Sequence, residues 1–158
     1  MTQVLTDVRE DGVSAPASAD PAALAQVVAD AKAQGIDLKL VVLPTSPPID
    51  TPLRDIATQV GKAYPGSTVL AISPGFAGTY SPVYDRVTLE AGQDLAKTGD
   101  AVQSSKNFVT QLSTPDFPWT PFTIALVLGV AVAAVGVRVL QVRGRRGVAD
   151  EKVAGTSQ

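Results

Sequence analysis

Asp50, Asp55 and Asp85 are the carboxylates whose positions could do chemistry. All three could approach one edge of a sheet, and clustered carboxylates supply the hard oxygen ligands that Ca²⁺ or Mg²⁺ takes. The same residues could instead cap helices or occupy first turns, where the macrodipole favours acids. Gly75-Phe76-Ala77-Gly78 follows an apolar strand, the place where ligands of α/β sheets collect, and its glycines could bring backbone N–H groups close to an anion. A third glycine and a Lys-Ser/Thr pair are missing from this stretch, so a plain surface loop is the competing reading. The chain contains no histidine and no cysteine. Disulfides, thiolate zinc sites, cysteine nucleophiles and the Ser-His-Asp triad are thereby excluded.

The elements that would position these residues carry their own signals. Asp20-Pro21 is an N-cap followed by proline at the first helical position, and Leu24, Val27, Val28 and Ala31 then recur on one face, with Gly35 placed to end the helix. Residues 38–43 read as a short buried strand. Thr51-Pro52 repeats the cap-plus-proline signature before Leu53, Ile56, Ala57 and Val60, Pro65-Gly66 is a turn, and residues 68–73 read as a second buried strand. Strand, helix and strand at this spacing make a βαβ unit with parallel strands and a right-handed crossover. The loops after both strands, residues 44–50 and 74–82, therefore share one sheet edge. Residues 83–89 are β-branched enough for a third strand, and residues 102–112 read as a helix. Residues 1–19 read as irregular, with at most a short strand at 4–8 or 13–15.

Residues 119–137 contain no charged side chain and are long enough, at about 1.5 Å per residue, to cross nearly all of a ~30 Å hydrocarbon layer. Trp119 and Phe122 stand at one end, and Arg138, Arg143, Arg145 and Arg146 crowd the other, so the span extends to about residue 140. The charge is asymmetric. Residues 1–118 hold eight Lys/Arg against thirteen Asp/Glu, a net −5, whereas five Lys/Arg against two acids follow residue 137, a net +3. The positive-inside rule then puts the tail in the cytoplasm and the preceding domain outside, although residues 1–10 show no cleavable signal. Ala125, Gly129, Ala133 and Gly136 line one face of the span, where small residues let a second helix approach. The arginines would also attract anionic lipid headgroups.

The division expected is an irregular segment at 1–19, an α/β domain at 20–113, a neck at 114–118, a transmembrane helix at 119–140 and a basic cytoplasmic tail at 141–158. Pro115, Pro118 and Pro121 mark the neck as stiff, extended chain. The acidic domain lacks a basic stripe with interleaved aromatics, so nucleic acid is not an expected partner.

The ordered stretches ALAQVVADAKAQGIDLKLVVL, DTPLRDIATQVGKAYPGSTVLAISP, RVTLEAGQDLAKTG and TPDFPW resemble an uncharacterised family of actinobacterial, notably mycobacterial, single-pass membrane proteins. The resemblance covers about residues 13–146. More distantly, the order of helix, strand, helix, strand and C-terminal membrane helix is similar to TPM-domain proteins. That similarity implies a small mixed α/β sheet with helices packed on it as a sandwich, outside a membrane, with a divalent-metal-dependent phosphatase as one possible activity. No catalytic residue carries over. The expectation is a non-enzymatic interaction or regulatory protein of the cell envelope without an obligate cofactor. Its partners would be membrane lipids, an envelope protein and a second copy met through the span. The alternative is the TPM-like phosphatase using Ca²⁺ or Mg²⁺.

Overall fold

Period-two alternation within two short strands organises the N-terminal part of the chain. The computed structural model describes residues 1–114 and 119–154. In it, β2 (Leu38–Val42) sends Leu38 and Leu40 to one face and Val41 to the other, and β3 (Thr68–Ile72) does the same with Leu70 and Ile72 against Val69 and Ala71. Strands buried on both faces need helices on both faces. Two separate apolar clusters result. Leu24, Val27 and Ala31 of α2 (Pro21–Ala33), Leu89 of α4 (Arg86–Leu95) and Phe108, Val109 and Leu112 of α5 (Ala101–Ser113) pack on one side of the sheet. Val8 of α1 (Thr2–Asp11) and Leu53, Ala57 and Val60 of α3 (Thr51–Ala63) pack on the other.

The sheet has four strands in the order β1-β2-β3-β4. β1 (Val13–Ser14) and β2 pair in parallel, as do β2 and β3, in a register that sets Leu40 opposite Leu70. The parallel βαβ unit expected over residues 38–73 is therefore present. β4 (Ala77–Tyr80) returns antiparallel beside β3, which makes the sheet mixed. The fold class is the α/β sandwich expected.

Three local readings are corrected. Residues 1–19 are not mainly irregular: the short strand expected at 13–15 is present as β1, but residues 2–11 form a helix. Val4, Leu5 and Val8 share a face that covers the sheet, Gly12 closes α1 at φ 84° with its N–H on Val8 O, and the Tyr64 hydroxyl donates to Leu5 O across the layer. Residues 74–82 are not all loop, because Pro74-Gly75 turns a tight hairpin in which Ser73 N–H donates to Phe76 O at 2.9 Å. Residues 83–89 form no strand. Asp85 Oδ1 accepts from Thr88 N–H at 2.7 Å, and this cap starts α4, whose Leu89, Gly92 and Gln93 turn inward. A smaller difference concerns α3, whose N-cap is Asp50, with Thr51 already helical.

Met1–Pro115 forms one compact unit and 116–158 a second. In the second, α6 (Trp119–Ala154) contains a stretch, Thr120–Gln141, of mean hydropathy 2.3 with none of it buried. Its 22 residues rise about 33 Å at 1.5 Å each, enough for a ~30 Å hydrocarbon layer. Apolar side chains on every face are unlike the one-sided stripe of a soluble amphipathic helix. Pro121 lies in the first turn of α6, where proline is tolerated. The other neck prolines, Pro115 and Pro118, lie outside the described residues. The tail beyond residue 141 continues the helix through Ala154, and 155–158 lie outside the described residues.

Candidate functional site

The carboxyl ends of β1, β2 and β3 meet the N-termini of α2 and α5 around a cleft of about 330 Å³. Open α/β sheets bind ligands at this edge because the strands stop there and helix N-termini point in. Its walls include Pro16 and Asp20 before α2, Pro44 after β2, Pro74 after β3, and Asp100 at the start of α5. The two post-strand loops do share one edge, since Gly75 N–H donates to Ser46 Oγ at 2.7 Å.

Both helix N-termini are closed by aspartates. Asp20 Oδ1 accepts from Ala23 N–H at 3.1 Å and Asp100 Oδ1 from Gln103 N–H at 2.6 Å. Asp20 does so from the left-handed region at φ 53° and is the one non-glycine there among the described residues. Aspartate tolerates that conformation better than most residues, and Pro21 behind it sets the helical φ. The carboxylates offset the helix dipoles, so the cleft is no anion hole. Two of its hydroxyls are also engaged. Ser73 Oγ donates to Phe76 O at 3.3 Å, and Ser104 Oγ pairs with Thr98 Oγ1 at 2.8 Å. Neither serine is hydrogen-bonded to a base.

The candidates read from sequence are placed elsewhere. Asp50 lies 3.4 Å from Arg54 Nε, Asp55 is exposed on α3, and Asp85 caps α4. The Thr88 backbone N–H holds the Asp85 carboxyl below its ordinary pKa, and the Thr88 side chain adds to the effect. Among the described residues no three acidic side chains converge on a possible metal position, so the proposed gathering of Asp50, Asp55 and Asp85 is not made. Gly75 turns the hairpin. Gly78 sits in β4 under α3, where a Cβ would come within 2.6 Å of Leu53 C and Arg54 N. Its bareness is a packing requirement.

On α6, Ala125, Gly129, Ala133, Gly136 and Arg138 are exposed, with open space around both glycines. The side chains of Trp119, Arg143, Arg145 and Arg146 lie outside the described residues. Asp100 was the cleft residue not singled out from sequence. Thr98-Gly99-Asp100 ahead of an apolar-periodic run was the available signal, with Gly99 at φ 84°.

Comparison with known proteins identifies a family. Residues 1–152 match the model of a family described as Membrane protein Rv1476. A protein of that description from Mycobacterium tuberculosis (strain ATCC 25618 / H37Rv) is 55% identical over 154 residues, covering 98% of this chain and 82% of the relative. With one apolar helix able to span a bilayer and a match over nearly its whole length, the chain belongs to the Membrane protein Rv1476 family and is a membrane protein.

Proposed function

We propose that the α/β unit lies outside the cytoplasm, held to the membrane by α6, and serves a non-enzymatic interaction or regulatory role in the cell envelope. The observation that carries the orientation is the charge flanking the span. Arg138, Arg143, Arg145 and Arg146 fall within nine residues on its C-terminal side, whereas Lys106 is the nearest basic residue before it, with Asp116 between. The non-enzymatic reading draws support from the cleft, where Asp20 and Asp100 cap helices and Ser73 and Ser104 bond to Phe76 O and Thr98 Oγ1 rather than to a base. Membrane lipids, an envelope protein and a second copy through the small-residue face of α6 are the partners this reading calls for. The TPM-like phosphatase alternative would need a gathered carboxylate set, and the described residues contain none.

The chain has no native cysteine, so Lys106→Cys, at an exposed position on α5, and Thr156→Cys can be labelled singly in intact cells with an impermeant maleimide. Labelling at 106 and not at 156 is the expected result. The reverse makes the α/β unit cytoplasmic, and the envelope role falls with it. Hydrolysis of p-nitrophenyl phosphate by the full chain with Ca²⁺ or Mg²⁺, above an empty-nanodisc control, would restore the enzymatic alternative.

A further inference from the structure

We propose that the open edge of β4 binds an acidic peptide in extended form, as an added fifth strand. Ser73 and Phe76 form a hydrogen-bonded pair, and the register continues through Ala71–Gly78 and Val69–Tyr80. Hydrogen-bonded pairs alternate in an antiparallel ladder, so Gly78 and Tyr80 turn their backbone groups toward β3 while Ala77 and Thr79 turn theirs away. Ala77 is fully buried, whereas Thr79 is half-buried and lines the groove at this edge, so its outward-turned N–H and C=O are the rung an added strand would take. An unpaired edge of this kind is a template for another extended chain. The opposite edge, β1, is two residues long and offers much less.

The edge is also walled. A groove of about 360 Å³ runs along it, with Arg54 and Thr58 of α3 on one side, Thr79 on the floor, and Arg86, Glu90 and Gln93 of α4 on the other. Residues 1–118 carry a net −5 and only three arginines, Arg9, Arg54 and Arg86, yet two of these three line this groove. Their present partners are weak competitors. Arg86 Nε meets Glu90 at 2.6 Å and Arg54 Nε meets Asp50 at 3.4 Å, but the arginine side chains are 83% and 50% exposed. Exposed pairs of this kind contribute little and re-pair readily. The backbone rung calls for an extended chain, and the two guanidinium groups call for carboxylates on it.

This names a partner class for the interaction role proposed above. Binding is measured on purified protein, so its outcome is independent of the membrane orientation that labelling decides. The full chain in lipid nanodiscs is titrated into a fluorescein-labelled octapeptide alternating valine and glutamate. Comparison peptides carry lysine for glutamate, or N-methyl groups on one or the other alternate set of amides. Strand addition predicts binding of the glutamate peptide, at least tenfold weaker binding of the lysine peptide, loss on methylation of one amide set only, and slowed hydrogen exchange at Thr79. Arg86→Glu should weaken binding at least about tenfold, since one charged hydrogen bond is lost and a repulsion takes its place. Thr79→Pro, which removes the outward donor and spares the β3 ladder, should abolish binding. If that variant fails to fold, Arg86→Glu and the methylated peptides carry the test. Absence of binding, equal effects of the two methylated sets, or unchanged exchange at Thr79 would each overturn the proposal.

Discussion

Replacing Gly78 with alanine tests whether this glycine serves packing or a ligand. A Cβ built there meets backbone on both counts, 2.6 Å from Leu53 C and 2.6 Å from Arg54 N, with Leu53 Cβ at 2.9 Å. No flexible side chain can yield. Helix α3 would have to retreat by about 0.8 Å, the difference between 2.6 Å and an ordinary 3.4 Å contact. That retreat would loosen Leu53, Ala57 and Val60, all fully buried, from Val69 and Ala71. Overpacking of this kind costs roughly 1–3 kcal/mol, and the upper half applies where backbone rather than side chain must move. For a unit of this size each kcal/mol lowers Tm by about 4 °C, so Gly78→Ala should melt roughly 8–12 °C below the parent. Gly75→Ala is the control, because its nearest neighbour is the Ser46 hydroxyl at 3.2 Å and its φ is not positive. It should melt within about 3 °C of the parent, as mild surface changes do. The assay is thermal unfolding of the full chain in detergent, followed by near-ultraviolet circular dichroism. Equal melting of Gly78→Ala and parent, or an equal loss in Gly75→Ala, would refute the packing account.

Asp100→Ala removes the α5 cap and should cost about 1 kcal/mol, read as a lower urea midpoint with an unchanged slope. Asp85 has a folded-state pKa below its ordinary value, so its carboxylate contributes stability that is present above about pH 4 and lost as pH falls through the lower folded-state value. The acid-side fall of Tm should therefore be shallower in Asp85→Asn, and unchanged steepness would remove the cap from the account. Gly129→Leu with Gly136→Leu should abolish self-association in a membrane two-hybrid assay if α6 pairs through its small-residue face. Unchanged association would leave that face to lipid.

Features carried by local chemistry were legible before folding. Asp20-Pro21 marked a helix start, residues 38–42 and 68–72 read as buried strands, and the charge-free run after Trp119 read as a membrane span. Each rests on a signal contained within a few consecutive residues: a cap, a hydrophobic period or a length. Helix α1 was illegible because its three apolar residues make a helical face only once the sheet surface and Tyr64 are there to meet them. Residues 83–89 have β-branched content, but Asp85 capping and the fit of Gly92 beneath Phe108, where a Cβ would come within 2.7 Å of the ring, make the segment a helix. Tertiary structure alone decided the sites. It sent Asp85 to a cap instead of a carboxylate cluster, set Gly78 beneath α3, brought Asp20 and Asp100 to one cleft, and aligned Arg54 and Arg86 along an open strand. The Asp85 cap is local, but the other placements join residues far apart in the chain, and packing geometry rather than local propensity determines which of them meet.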